Sequence, residues 1–475
     1  MSFIKKEKTK IVATIGPATE SEKVMTSLVR AGMDVMRLNF SHGDHKEHLG
    51  RIKTARAISK KLGKTVAILQ DLSGPKIRIG DFHTERITLK QGSTFTLTTN
   101  KVVGDETKVF VNYKNLPKEV KKGNVILLDD GKKKLEVLRT SIDSITCKVL
   151  VGGDTKGRRG VNVPGAYLKM SSITPKDKVD LKLGIKENVD FVALSFVRKS
   201  KDITDLRKIL NREKSDIAII AKIETQEAVD NIDEIIALAD GIMIARGDLA
   251  IEVPTEDVPV IQKNIVRKCN EVGKPVIVAT QMLESMIHSP VPTRAEVSDV
   301  ANSILDGTDA IMLSEETTLG EYPLEAVSTM GKIARRVELL SKMHREIKVR
   351  EDGTRSTVDT ISSSAVDVAD KVGVKAIVAL TESGSTARMV SRFKPTQPVI
   401  VMSPNARARA KLSLSYGCYQ TPTERFTSIV QVTKMVNAFL IRNGFANKGD
   451  KVVIVAGVPF GKVGGTNVIL VHKMK

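Results

Sequence analysis

The sequence predicts an α/β protein: a (β/α)8 TIM barrel with an inserted small β-barrel lid domain, followed by a C-terminal α/β domain. Three observations lead there. Eight short runs of mostly Val, Ile, Leu and Ala alternate with amphipathic stretches, as buried parallel strands alternate with covering helices. That spacing breaks once, between the third and fourth runs. A second helix–strand alternation begins after about Arg350.

The eight expected strands are Ile11–Gly16, Val35–Phe40, Ala67–Leu72, Phe191–Phe196, Ile217–Glu224, Gly241–Leu249, Pro275–Met282 and Ala310–Glu316. Helix signals stand between them, such as Ser21-Glu22-Lys23 as a start and Gly32 as a stop. From about Ser73 to Met170 the pattern changes to short alternating segments. These are Arg86–Leu89, Thr94–Thr98, Lys108–Val111, Val125–Leu128, Leu135–Leu138 and Ile145–Val151. Turn signals at Asp129-Asp130-Gly131 and Val151-Gly152-Gly153-Asp154 punctuate them, so the stretch reads as a lid inserted at the catalytic end. Later strands are expected at Ala376–Leu380, Pro398–Met402, Lys451–Ala456 and Asn467–Val471, with the charged segment Ser341–Arg355 as linker. The expected division is residues 1–72 and 171–345 for the barrel, 73–170 for the lid and 346–475 for the last domain.

Three cysteines among 475 residues, Cys147, Cys269 and Cys418, are too few and too dispersed for a disulfide framework, which fits a reducing compartment. The start, Met1 to Lys6, lacks the apolar stretch of a secretory signal, and no run approaches membrane-spanning length. A cytoplasmic protein with no membrane partner is expected. The net charge of +20 raises the question of nucleic acid, yet with no tryptophan and 4% aromatic residues stacking surfaces are scarce. The excess lysine reads as a solvated surface that also favours anionic, phosphorylated substrates, with no specific nucleic-acid partner.

Polar residues in the eight runs fall at their C-terminal ends, where such barrels place catalysis. They are Arg37 and Asn39, Asp71, Ser195, Lys222 and Glu224, Arg246 and Asp248, Thr280, and Glu316. Charges scattered into solvated loops would not converge in this way. Lys222-Ile223-Glu224 closes one run and Arg246-Gly247-Asp248 the next, so neighbouring strands set a lysine beside two carboxylates. Two carboxylates with open positions suit Mg2+, and the lysine suits a phosphoryl group in transfer. A structural ion-pair network would use the same residue types. No GxxxxGKS/T loop or GxGxxG fingerprint occurs, so a nucleotide must be held by basic side chains and metal. His42, His45 and His48, at i, i+3 and i+6, depart from one helical face and read as a loop and helix start without a metal.

An ordered set of motifs makes the chain similar to one family. It comprises Lys10–Pro17 (KIVATIGP), Met36–Gly43 (MRLNFSHG), Asp71–Gly80 (DLSGPKIRIG), Gly160–Gly165 (GVNVPG) and Ala221–Glu224 (AKIE). Gly241–Leu249 (GIMIARGDL), Ala279–Met286 (ATQMLESM), Pro292–Asp299 (PTRAEVSD) and Met312–Thr317 (MLSEET) complete it. Over essentially the whole chain these resemble pyruvate kinase. The resemblance implies a homotetramer that transfers the phosphoryl group of phosphoenolpyruvate to ADP, giving pyruvate and ATP in glycolysis, with Mg2+ or Mn2+ as cofactor. It implies that Arg37 grips the substrate phosphate, Lys222 stabilises the phosphoryl group in flight and Thr280 serves enolate protonation. Ser195, Gly247, Asp248 and Glu316 join these three at the substrate, and Glu224 and Asp248 are the implied divalent-metal ligands. Asn39, His42, Arg78 and Arg159 fall at nucleotide-contacting positions. Asn39, Ser41, Asp71 and the Leu72 carbonyl are the implied monovalent-cation ligands. In the last domain Thr381, Ser383, Gly384, Ser385 and Thr386 resemble an effector phosphate loop for a sugar phosphate or AMP, with Gly461–Asn467 as its cover.

The chain departs from the family pattern in three places. Arg159 stands where Lys is common, and Glu315 where many relatives carry a small residue. Lys76 replaces the Glu of potassium-dependent members, and its ammonium is expected to stand in for the ion, so that activity does not require K+. Two other readings use much of the same chemistry: a Mg2+-dependent barrel lyase or aldolase acting on a pyruvate enolate, and a non-catalytic phosphometabolite sensor. The first has no need of Arg78 or a lid, and the second no need of an intact Arg37, Lys222, Glu224, Asp248 and Thr280 set.

Overall fold

A computed structural model describes residues 7–340, 356–460 and 465–475. Eight parallel strands close into a barrel: β1 (Lys10–Thr14), β2 (Met33–Asn39), β3 (Ala67–Asp71), β4 (Phe191–Leu194), β5 (Ala218–Ile223), β6 (Gly241–Ala245), β7 (Val276–Ala279) and β8 (Ala310–Leu313). Each pairs with its neighbours in sequence, and β8 returns to β1 with Lys10 beside Ala310 and Ala13 beside Leu313. The runs look uniformly apolar because both faces are buried, yet the pleat sorts them. Ile11, Ala13, Ile68, Ile219 and Ala221 pack with the surrounding helices. Val12, Ala67, Leu69, Ala218 and Ile220 fill the lumen. The first helix, Glu22–Ala31, begins where the Ser21 side chain accepts the Val24 amide and ends at Gly32, whose φ of 132° a side chain would resist.

Several strands stop short of the apolar runs that announce them. Arg246–Glu252 is helical, and Glu315–Thr318 makes a single helical turn. Phe196, Thr280 and Gln281 have φ of 53°, 73° and 54°. Extended backbone ends where polar side chains turn into the mouth.

Between β3 and β4, the insertion expected as a small barrel builds its wall from two sheets around one core. Six strands run in the order Val161–Asn162, Val125–Leu128, Lys133–Thr140, Ser144–Val151, Thr94–Thr98 and Lys108–Phe110, and Gly153–Lys156 pairs with Arg86–Leu89. In the last domain β9 (Ile377–Leu380), β10 (Val399–Ser403), β11 (Cys418–Pro422), β12 (Lys451–Gly457) and β13 (Thr466–Lys473) form one sheet in the order β11-β10-β9-β12-β13. Its pairs are parallel except β12–β13. The expected linker, residues 341–355, and residues 461–464 of the expected effector-site cover lie outside the described residues.

The last domain seals the N-terminal end of the barrel. Leu414 joins the lumen core. Lys394, with no exposed side-chain surface, pairs with Asp309 at 2.8 Å just before β8, and Asp309 also accepts the Tyr416 amide. Lys10 donates to the Cys418 carbonyl, and the Gly417 amide to the Lys8 carbonyl. Among the described residues no helix is long and apolar enough to cross a membrane.

Candidate active site

Strand register gathers the polar ends. Thr14 lies beside Arg37, and Asn39 beside Asp71. Asp71 is the hub. Arg37 donates Nε to its Oδ2 at 2.8 Å and holds Nη2 at 2.7 Å, while Nη1 donates to Thr14 Oγ1 at 2.9 Å. Lys222 Nζ lies 3.3 Å from Asp71 Oδ1 and 2.9 Å from Glu224 Oε1, and donates to Ser195 Oγ at 2.8 Å. Ser195 in turn donates to the Leu72 carbonyl at 2.7 Å.

Burial opposes every charge in this cluster, and the partners decide the outcome. It lowers Lys222, but Asp71 and Glu224 outweigh it and raise the ammonium above its ordinary value. It raises Asp71, but Lys222 and Arg37 together hold that carboxyl below the usual range. Glu224 is raised, by burial first, and the like charge of Asp248 adds to this against the pull of Lys222. The sequence sets Lys222 beside Glu224 and Asp248, and the charge of Asp248 does act on it. The structure adds Asp71 as an ion-pair partner, because β3 and β5 flank β4 and their side chains meet beside it.

Asp248 opens the next helix, one third exposed (32%), with Lys76 Nζ at 3.9 Å. Glu224 and Asp248 suit a divalent cation by their chemistry. Both are hard oxygen donors, Asp248 keeps open positions, and a dication relieves the repulsion that raises Glu224. Among the described residues no three His, Cys, Asp or Glu side chains cluster as a metal cage, so such a cation takes its other ligands from water and substrate.

Thr280 follows β7 with its Oγ1 accepting the Gly247 amide at 2.7 Å and donating to the Ala279 carbonyl at 2.5 Å. A β-branched residue at a φ of 73° is strained by about 1–3 kcal/mol. Arg246, which the sequence marks only as polar, bridges Asp299 and the Thr280 carbonyl. Glu316 is buried, which raises its carboxyl, and accepts the Leu283 and Ser314 amides at 3.2 and 2.7 Å. It braces two loops of the mouth. Glu315 beside it is exposed.

The residues expected on the nucleotide side are more open. Asn39 Oδ1 accepts the Ser41 amide at 3.0 Å, and Ser41 and His42 are exposed. Arg78 donates to the Arg158 carbonyl at 3.1 Å, and Arg159 Nε lies 3.3 Å from Asp129. The His42 amide donates to the Asn39 carbonyl at 3.3 Å, and among the described residues no side-chain hydrogen bond or ion pair joins Asn39, His42, Arg78 and Arg159 to one another. The three histidines diverge: His45 meets Asp180 at 2.8 Å, and His48 stacks on Phe40 at 4.0 Å while donating to the His42 carbonyl. Of the expected monovalent-cation ligands, Asp71 is held by Arg37 and Lys222 and the Leu72 carbonyl by Ser195; Lys76, the expected substitute for the ion, faces Asp248. In the last domain Thr381 Oγ1 accepts the Gly384 amide at 2.9 Å, the Ser385 amide reaches Ser383 Oγ at 3.5 Å, and Thr386 meets Thr466 at 2.7 Å.

A closed parallel barrel with an inserted β domain and a lysine–arginine–carboxylate cluster at its C-terminal mouth defines a class, the barrel enzymes that place their chemistry at that end. Comparison narrows it. A family model described as pyruvate kinase, barrel domain, matches residues 6–327, and one described as pyruvate kinase, alpha/beta domain, matches residues 359–472. Pyruvate kinase of Clostridium acetobutylicum is 46% identical over 469 residues, covering 98% of this chain and 99% of the relative. That of Staphylococcus saprophyticus is 47% identical over 474 residues, covering 98% and 80%. The crystal structure of a pyruvate kinase from Cryptosporidium parvum matches with a TM-score of 0.94 at 35% identity, covering 100% of this chain and 97% of that one. The chain belongs to the pyruvate kinase family.

Proposed function

We infer that this phosphotransferase moves the phosphoryl group of phosphoenolpyruvate to ADP, giving pyruvate and ATP, with Lys222 as the fixed charge that accompanies the group. The observation that carries the assignment is a buried ammonium held charged between Asp71 and Glu224. Charge on a transferring phosphoryl group spreads over its equatorial oxygens, so a positioned cation is the catalytic device the chemistry needs. Arg37, clamped by Asp71 and Thr14, turns its remaining donors to the substrate phosphate. Gly247, Asp248 and Thr280 hold the carboxylate end, with Ser195 and Glu316 completing the wall. Thr280, working through water, serves proton delivery to the methylene carbon of enolpyruvate.

The divalent cation, Mg2+ or Mn2+, belongs on Glu224 and Asp248, where it supplies Lewis-acid polarisation of the phosphoryl oxygens. Asn39, His42, Arg78 and Arg159 take the nucleotide, the last two from a lid spanning residues 73–170 between barrel segments 1–72 and 171–345. The last domain, 346–475, offers Thr381, Ser383, Gly384, Ser385 and Thr386 to an anionic effector, a sugar phosphate or AMP. Family likeness also supports a homotetramer working in the cytoplasm. The lyase and sensor readings find no support in the family match.

Lys76 places a fixed ammonium at the mouth, and Asp71 is already neutralised by Arg37 and Lys222; both favour activity without K+. The test is a coupled assay of pyruvate formation from phosphoenolpyruvate and ADP with Mg2+, in buffers with and without K+. Comparable turnover in both is expected. A manyfold rise on adding K+ keeps the enzyme and removes Lys76 as the ion's substitute. No turnover in either, from folded protein supplied with candidate effectors, returns the lyase and sensor to contention.

A further inference from the structure

We propose that Arg246 is a positioning residue for the reaction, a fork that holds the strained Thr280 peptide in place and is itself held by Asp299. The proposal rests on Thr280 lying at the substrate.

Thr280 and Gln281 are consecutive non-glycine residues with φ of 73° and 54°. A β-branched side chain does not adopt that backbone unless its surroundings impose it. Arg246 Nη2 donates to the Thr280 carbonyl at 2.9 Å and so holds the bend at its first residue, with Met282 Sδ in contact at 2.9 Å. Its guanidinium is anchored by two bonds to Asp299, Nη1 to Oδ1 at 2.6 Å and Nη2 to Oδ2 at 2.7 Å. The next residue finishes the hold, since the Gly247 amide donates to Thr280 Oγ1 at 2.7 Å. Arg246 and Gly247 thus fix the threonine by its carbonyl and by its hydroxyl. Register makes this possible, because Ala245 and Ala279 lie side by side and the two chains leave their strands together.

The fork explains why the position is arginine. A lysine has a single ammonium and cannot meet a carboxylate with two parallel bonds while also reaching a carbonyl. The arrangement is also separable from folding. Asp299 keeps 36% of its side chain exposed, so Arg246→Met strands no deeply buried charge; Arg246 keeps only 14%, so Asp299→Asn is read beside its thermal midpoint.

The test compares Arg246→Met, Arg246→Lys, Asp299→Asn and Thr280→Ala with the full wild-type chain. Readouts are kcat, the KM values, the thermal midpoint, and deuterium uptake into the methyl group of pyruvate in D2O, which follows the proton step without phosphoryl transfer. Arg246→Met is expected to lower kcat and deuterium uptake together by about ten- to a hundredfold, the scale of a small misplacement at a reacting centre. The KM for ADP is expected to stay within about twofold. Arg246→Lys and Asp299→Asn should fall between it and wild type. Wild-type uptake in folded Arg246→Met or Asp299→Asn overturns the proposal, and so does a loss confined to the thermal midpoint or shared equally by the ADP KM. If Thr280→Ala leaves uptake unchanged, the underlying role of Thr280 fails instead. A loss in Thr280→Ala with none in the Arg246 variants fails the fork alone.

Discussion

Lys222 carries its charge in a place that ordinarily removes charge. Burial alone would lower its pKa, and two carboxylates within 3.3 Å reverse the sign. In the role proposed for it, a cation so fixed needs no reorganisation when the phosphoryl group passes. Lys222→Met should reduce kcat by roughly 10²–10³ with circular dichroism unchanged, and a folded variant with near-normal kcat removes the residue from the mechanism. His48 shows the opposite balance. Burial, ahead of its other neighbours, lowers it below the usual 6.5. Above 6.5 the imidazole is neutral in folded and unfolded chains alike. As pH falls below that value the unfolded chain takes up a proton that the folded chain refuses, and stability declines. The urea midpoint of wild type minus that of His48→Gln should therefore shrink between about pH 7 and pH 5. A constant difference means that His48 titrates alike in both states.

Elements divide by how locally their cause is written. The barrel strands are legible because Val, Ile and Ala runs buried on both faces have few other uses, and their polar ends mark the mouth. Their C-terminal limits are not, since Gly241–Leu249 reads as one run but turns helical at Arg246. β11 escapes notice because Cys418–Pro422 is mixed in polarity, and Gly153–Lys156 because two glycines precede its only buried residue, Thr155. The partnership of Lys222 with Asp71 is hidden for another reason: sequence order points to β6, while the insertion separates β3 from β4 in sequence and only the sheet sets β3 and β5 on either side of β4. Thr14 on Arg37 and Asp299 on Arg246 likewise depend on contacts that no local pattern encodes. One such contact ties lid to barrel. Asn162 Nδ2 donates to Glu252 Oε1 at 2.7 Å, and burial raises that carboxyl. Asn162→Ala leaves a part-buried acceptor without its donor and should cost about 1–3 kcal/mol in urea unfolding, with faster amide exchange around Val161. A change below about 0.5 kcal/mol means that water replaces the amide.

At the scale of the whole molecule, the barrel does not finish its own core. Its lumen is closed from below by Leu414, a residue of the last domain, and the seam is pinned by the buried Lys394–Asp309 pair. Breaking such a pair from one side is costly, so the seam is specific as well as tight. Leu414→Ala opens a void inside the barrel rather than between domains, and about 2–5 kcal/mol of stability should be lost. The melting transition of the barrel should fall with that of the last domain. A fall in the last domain alone means that the lumen is stable without its stopper.

That stopper also sets a schedule for birth on the ribosome. All eight barrel strands have been synthesised by Leu313, but the side chain that corks them arrives about a hundred residues later, a delay of roughly 5–20 s at ordinary elongation rates. Through that interval the nascent barrel has an apolar lumen open at its floor, and this is when a chaperone has most to protect. The hazard ends when the final domain emerges and docks.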